Sequence, residues 1–300
     1  MTGVPDIGKG SYYANPQYDA PFGETSDAVR DWPAFAQPNT WPEGPMPKLR
    51  PAFMDAGTLM VDVGVLVAAQ CDAFVSSVVP SYSRRSGQIA TGPNFLEGVI
   101  SRSRVAKGRL LHYYGGAQVE DFRYMLDDSA RAALEAGATG DDVASWCGWH
   151  NDHGSLTALI PAMFLDEKGD EVDAPDSDAG LYIKSRKGTV VKAAVPPSCI
   201  AFQIGETAMI HSGGALLATP HCVRGPSDAQ DTTSRETFAV FMEPEWGEPM
   251  DVPFGMRPED AMKGSSHEYL PEGVPLLERR WIHGQSFGDF TEKTLSSYYT

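Results

Sequence analysis

Between Leu156 and Glu243, seven short apolar or alternating runs follow one another: LTALIPAMF, GLYIKS, TVVKAAV, CIAFQIG, TAMIHS, ALLATPHCV and TFAVFME. Between them stand GDEVDAPDSDA, RKG, PPS, GE, GG and RGPSDAQDTT, which are turn compositions, because Gly, Pro, Asp and Ser adopt or hydrogen-bond a bent backbone. Seven strands in about ninety residues leave a sandwich or a barrel as the architecture, since each apolar face must be covered by another layer.

Upstream the period is different. From Pro47 to about Val78, the residues Phe53, Met60, Val63, Val67, Cys71 and Phe74 recur at intervals of three, four or seven, which predicts one long helix with an apolar face. A shorter helix is predicted from Asp127 to Ala136, where SARAALEA has high propensity and GATG supplies a stop. Residues 1–46, rich in Pro, Gly, Asn, Asp and aromatics, read as an extended segment draped over a core. The whole predicts a mainly β chain with flanking helices. Its architecture is a jelly roll, a cupin-like double-stranded β-helix, with the long N-terminal helix packed on one sheet. The 300 residues are read as one domain. A helical support region, 47–140, holds a first core strand near 108–115, residues 141–245 form the core, and 246–300 form a C-terminal extension. In that extension FGDFTEKTLSSYY predicts a helix packed through Phe287, Phe290, Leu295 and Tyr298.

A formal charge of -16 argues against phosphate backbones and anionic lipid surfaces, which need a basic face, so neither nucleic acid nor membrane is an expected partner. The most apolar stretch, about Gly57 to Val79, is interrupted by Asp62, Gln70 and Asp72, each costly at the centre of a bilayer. The four cysteines, Cys71, Cys147, Cys199 and Cys222, form no CxxC pair and read as free thiols. With no cationic-then-apolar leader and no N-glycosylation sequon, the expected location is the cytoplasm, and the expected state a monomer.

In GWHNDHGSLTAL, His150 and Asp152 stand two residues apart before a predicted strand, and a period of two turns both side chains to one face. Some seventy residues on, ALLATPHCV ends in His221, which a sandwich brings across to the same place. Two imidazoles and one carboxylate on one side of a metal leave the opposite positions open for reactants, the arrangement of iron(II) oxygenases. A closed four-ligand site has no such room.

The order of motifs then resembles the 2-oxoglutarate and iron(II)-dependent dioxygenases, in the branch that includes isopenicillin N synthase, flavonoid oxidases and gibberellin oxidases. The matching stretches are LLHYYGG, HNDHGSLTAL, GLYIKSRKGTVVKAAVPPSCIAFQIGE, SGGALLATPHCV and RETFAVFMEP, covering about residue 45 to the C-terminus. The resemblance implies iron(II) held by His150, Asp152 and His221, with 2-oxoglutarate as co-substrate and ascorbate as a stimulant. It implies that Arg235 and Thr237 hold the distal carboxylate, consistent with the bidentate fork of a guanidinium beside a hydroxyl. The family's Asn-x-Tyr pair falls on His112 and Tyr114, with Tyr114 contacting the co-substrate. Dioxygen and a small-molecule substrate complete the implied reaction, a hydroxylation or desaturation that releases succinate and CO2.

Other readings stay open beside this one. Arg224 is a rival to Arg235, which could also serve an ordinary ion pair. His153 reads as a packing residue beside the site, His211 as a hydrogen-bonded core histidine, and His112 as either a supporting residue or a substrate contact. Two further functions remain: an iron(II) oxidase of the same fold that uses no 2-oxoglutarate, and a non-catalytic jelly roll that binds a small acid.

Overall fold

The computed structural model describes residues 7–82, 95–137, 145–228 and 230–298. Their strands form two antiparallel sheets. The larger runs β1 (Lys9–Ala14), β2 (Lys107–Tyr113), β11 (Ser234–Met242), β4 (Leu156–Leu159) and β9 (Ala201–Ile204), with β5 (Met163–Leu165) added on β11 and β6 (Glu171–Val172) on β5. The smaller runs β3 (Ser145–His150), β10 (His221–Arg224), β7 (Gly180–Lys184) and β8 (Val190–Lys192). Helices α1 (Asp27–Asp31), α2 (Pro33–Ala36), α3 (Leu49–Val78), α4 (Phe95–Arg102), α5 (Gly116–Met125) and α6 (Asp128–Gly137) precede most of the strands. Helices α7 (Glu206–His211), α8 (Pro258–Met262) and α9 (Phe287–Tyr298) come later.

Alternation along the larger sheet divides its residues between two interiors. Phe238, Val240 and Met242 of β11 join Leu156 and Ala158 of β4 in a core shared with Phe53, Met60, Val61 and Ala68 of α3. The intervening residues Arg235, Thr237, Ala239 and Phe241, with Thr157 and Leu159, face a cavity between the two sheets. A period of two makes this division automatic once the register is set.

Helix α3 is long and apolar enough, by length and composition, to cross a bilayer. In this fold its small residues lie on the sheet instead. A Cβ on Gly64 would collide with Met242, and one on Gly57 with Pro16, so glycine sets how closely the helix approaches. The buried stripe therefore follows Phe53, Gly57, Met60, Gly64, Ala68, Asp72 and Val75, and Phe74, expected on the buried face, is half exposed. Asp72 is buried because its carboxylate accepts the amides of Leu96 and Glu97, each at 2.8 Å, at the start of α4, and the hydroxyl of Tyr82.

Several expectations need correction. The N-terminal segment carries β1, which pairs with β2, together with two short helices. TAMIHS is not a strand but α7, which starts at Glu206 and ends on Gly213 and Gly214, both at positive φ. Gly213 N–H donates to Ile210 O and Gly214 N–H to Met209 O, so the glycine pair terminates a helix in a Schellman-type cap. Of ALLATPHCV only the end is strand, in β10, while SWCGWH forms β3. Helix α9 packs through Phe287, Phe290, Thr291 and Thr294, leaving Leu295 exposed. The GATG stop after α6 runs past Gly137 into residues outside the described ones.

Gly64→Val is expected to lower stability by about 1–3 kcal/mol or more through overpacking against Met242. Leu66→Ala, on the exposed face of α3, should change it by roughly 0.5 kcal/mol or less. Thermal unfolding of both variants checks the packing face.

Candidate metal centre

His150 ends β3 and His221 begins β10, and the antiparallel register sets them opposite each other, with ring centroids 4.1 Å apart. Asp152 lies beyond β3 in the loop 151–155, so it reaches the histidines by a turn of the chain and not by strand alternation. Its Oδ1 is 3.9 Å from His150 Nε2 and 3.8 Å from His221 Nε2, and one donor atom of each residue lies within 4.8 Å of the others.

The far side of each imidazole is fixed by the backbone. His150 Nδ1 lies 2.8 Å from the carbonyl of Gly148, and His221 Nδ1 lies 3.0 Å from that of Thr219. A carbonyl only accepts, so both rings carry a proton on Nδ1 and turn Nε2 toward Asp152, the atom that metal-binding histidines use. Asp152 Oδ2 is buried with no hydrogen-bond partner. A buried carboxylate oxygen without a partner is costly, and a cation among these three residues would satisfy it. The donor set fits a divalent metal ion.

The start of α7 holds the loop that carries Asp152. Glu206 N–H donates to Asp152 O at 2.8 Å, Gly205 N–H to Ser155 O at 3.0 Å, and Thr207 Oγ1 to His153 O at 2.6 Å. Gly205 has to be glycine, because a Cβ there would strike the carbonyl of Gly154. Glu206 in turn accepts Arg280 Nη1 at 2.6 Å and Asn151 Nδ2 at 3.2 Å, and neither side chain of the Glu206–Arg280 pair is exposed. Asn151 N–H donates to the hydroxyl of Tyr298 on α9.

The three residues stand in the wall of the cavity between the sheets, which has a volume of about 280 Å³. Arg235 and Thr237 line it as well. Arg235 is 7% exposed, its guanidinium lies over the Tyr113 ring at 5.4 Å, and its Nε and Nη1 have no hydrogen-bond partner.

Tyr114 does not line this cavity; Tyr113 does. Arg109, Leu111 and Tyr113 share the inner face of β2, whereas Tyr114 follows its end and packs on His112 and Phe122. On this strand it is Tyr113, and not the expected Tyr114, that faces the cavity. His112 faces away from the cavity and pairs with Glu236 at 2.5 Å. Arg224 is exposed over the Tyr182 ring, so it does not compete with Arg235. His153 stacks on Phe287, and His211 Nε2 lies 3.1 Å from the carbonyl of Pro249. Sequence reading missed Thr157, which lines the cavity beside Asp152 and helps to lower its carboxyl, and Cys147, whose Sγ lies 3.7 Å from His150 Nδ1. Strand parity points to Thr157 once Leu156 is placed in the core; Cys147 has no comparable signal.

The three residues share protons unevenly. Burial, and then the charge of His150, pull His221 down to about 4. Burial acts against His150 as well, but the Cys147 thiolate, Asp152 and the Gly148 carbonyl outweigh it and raise the ring to about 9. Burial raises the Asp152 carboxyl, yet His221, His150 and the Thr157 hydroxyl outweigh that and hold it below its usual range. A metal ion must therefore displace a proton chiefly from His150. Apparent manganese(II) affinity is expected to rise about ten-fold per pH unit as pH rises toward about 9, the signature of one displaced proton. Cys147→Ala removes the thiolate that holds this proton, lowers the pKa of His150 and should move the rise to lower pH. Calorimetric titration across pH tests both; a flat profile in the unaltered protein would remove His150 from the ligand set.

No family model matches the chain, and no curated protein matches it in sequence. Solved structures do match in three dimensions. One is a full-length Neurospora crassa protein in complex with alpha-KG, at TM-score 0.54 and 17% identity, covering 97% of this chain and 67% of that one. A Caulobacter crescentus protein described as belonging to the 2OG-Fe(II) oxygenase family matches at TM-score 0.54 and 15% identity, covering 96% and 69%. The rice dioxygenase for auxin oxidation matches at 0.50 and 16%, covering 98% and 70%. The chain thus spans about two thirds of the length of these structures. At such identities the likeness is one of architecture: this chain has the fold of the 2-oxoglutarate/iron(II) oxygenases.

Proposed function

We propose that the chain is an iron(II)- and 2-oxoglutarate-dependent oxygenase built on a jelly roll, acting on a small-molecule substrate. The observation that carries this reading is Arg235. It is a buried guanidinium with two unpartnered donor atoms, and it lines the same cavity as the His150, Asp152 and His221 cluster. A buried arginine with free donors is costly unless an anion completes it, and a planar carboxylate matches its fork.

His150 and His221 would hold iron(II) through Nε2, and Asp152 would supply the carboxylate and offset part of the metal's charge. Iron(II), when bound, supplies the activation of dioxygen that couples decarboxylation of 2-oxoglutarate to oxidation of the substrate. Arg235 would take the distal carboxylate of 2-oxoglutarate with Thr237 adding a hydroxyl, and Tyr113 would stand beside it in the position expected for Tyr114. Leu111, Leu159, Phe164 and Val223 wall the cavity with apolar surface, which excludes water and strengthens each charged contact inside. The products are succinate, CO2 and a hydroxylated or desaturated substrate.

Arg235→Ala should weaken 2-oxoglutarate binding by about thirty-fold to a few thousand-fold, since removing one partner of a buried charged pair costs roughly 2–5 kcal/mol and each 1.4 kcal/mol is a factor of ten. Arg235→Lys should recover part of the loss, because the ammonium keeps the charge without the fork. Arg224→Ala should leave binding unaltered. Calorimetry on the metal-loaded protein, with succinate release as the activity readout, is the test. Unchanged affinity in Arg235→Ala, with no succinate from the unaltered enzyme, would bring the oxidase without 2-oxoglutarate forward.

A further inference from the structure

The chain carries a formal charge of -16, and many of its cations are tied to carboxylates, as in Arg30 with Asp27, Arg102 with Glu248, Lys107 with Glu243 and Arg280 with Glu206. The cavity between the sheets departs from this. Arg109, Lys192 and Arg235 line it, Asp152 is its one carboxylate among the described residues, and no ion pair there joins any of the three cations to an acid. On the function proposed above, a divalent ion and Arg235 are balanced by Asp152 and the 2-oxoglutarate dianion. Arg109, half-buried, and Lys192, exposed, stand at the solvent-facing side of the cavity with no acidic partner among the described residues.

Arg109 is placed to be used. It shares the inner face of β2 with Tyr113, but pairs across to Ala239, whereas Tyr113 pairs to Arg235. Four residues of strand, about 13 Å, separate the two rows, so Arg109 does not duplicate the deep arginine. Its guanidinium is held by Ser11 Oγ, which accepts Nε at 3.2 Å and Nη2 at 2.8 Å, and it lies 5.0 Å from the Tyr13 ring. Among the described residues Nη1 has no hydrogen-bond partner. Lys192 approaches from the smaller sheet, with Nζ on the Ser177 carbonyl at 2.8 Å. Ile160, Phe164, Leu181 and Val195 supply apolar wall around them.

We infer that the primary substrate is an organic anion with an apolar body, whose carboxylate or phosphate group is received by Arg109 with Lys192 opposite. The inference rests on the oxygenase reading for the rest of the cavity. A pre-oriented fork recognises either oxyanion, and a neutral isostere leaves it unpaired.

The experiment uses the full chain loaded with manganese(II) and saturating 2-oxoglutarate under nitrogen. Calorimetry compares 4-phenylbutyrate with its primary amide and phenyl phosphate with phenol, which distinguishes the two sources of the anion. In at least one pair the charged member should bind about ten-fold tighter than its neutral partner, and more weakly as salt is raised. Arg109→Gln should bring that ratio to within about two-fold while affinity for 2-oxoglutarate and for the neutral member stays unchanged, with the melting temperature checking the fold. Equal binding within both pairs, no binding by either anion, or an undiminished ratio in Arg109→Gln overturns the inference. So does loss of the ratio in Arg235→Ala with retention in Arg109→Gln, since the anion then sits at the deep arginine. If the unaltered protein fails to bind 2-oxoglutarate but shows a charged preference that Arg109→Gln removes, the anion site stands and the co-substrate assignment falls.

Discussion

Strand β11 has an interior on both sides, and its register decides what each interior contains. Phe238, Val240 and Met242 face α3, while Arg235, Thr237, Ala239 and Phe241 face the cavity. A slip of one residue would put a guanidinium into the aliphatic core, and the cost of burying a charge among aliphatic side chains forbids it. The same alternation carries across the ladder, because Tyr113 is paired with Arg235 and Thr157 with Phe241. One register thus places the buried Arg235, its aromatic neighbour Tyr113 and the Thr157 hydroxyl on the cavity side.

The candidate metal-binding cluster depends on a second constraint. His150 and His221 are set opposite by the pairing of β3 with β10, but Asp152 belongs to a loop and has no strand to orient it. Its position comes from α7, whose first amides reach back to the carbonyls of Asp152, His153, Gly154 and Ser155. Those amides have no partner within the helix, so binding the loop satisfies groups that would otherwise need water or a capping side chain. The close approach also explains the glycine at Gly205.

Much of this was legible in the sequence, and the exceptions share a cause. The long helix, the strand-dense block, and the candidates His150, Asp152, His221, Arg235 and Thr237 could be read from period and motif order. The errors lie where one chemical pattern serves two structures. TAMIHS alternates like a strand, yet Glu206 before it and the glycine pair after it are helix-end signals that outweigh six residues of alternation. The stripe on α3 was counted by apolar side chains, whereas close packing selects Gly57, Gly64 and Ala68, which carry little hydrophobic signal. In LLHYYGG the motif resemblance pointed to Tyr114, whereas the pairing of Tyr113 with Arg235 turns Tyr113 to the cavity. The contribution of Arg280 was invisible because it lies some 130 residues beyond Asp152, the residue it helps to place.

Residues 246–300, read from sequence as an extension, are part of the site's foundation. Arg280 and Glu206 are fully buried, and taking two charges out of water costs several kcal/mol per ion, which their mutual attraction offsets only with good geometry and further hydrogen bonds. Those bonds are present: Thr294 and the Pro275 carbonyl accept from Arg280, while Asn151 donates to Glu206. An apolar pair of the same volume would fill the space without that penalty. It would not fix direction, because hydrophobic contacts are non-directional. The ion pair joins the C-terminal segment to the two residues on either side of the critical contact: Asn151 precedes Asp152, and Glu206 N–H holds its carbonyl. The desolvation cost is thus spent on orienting the one candidate ligand that no strand orients.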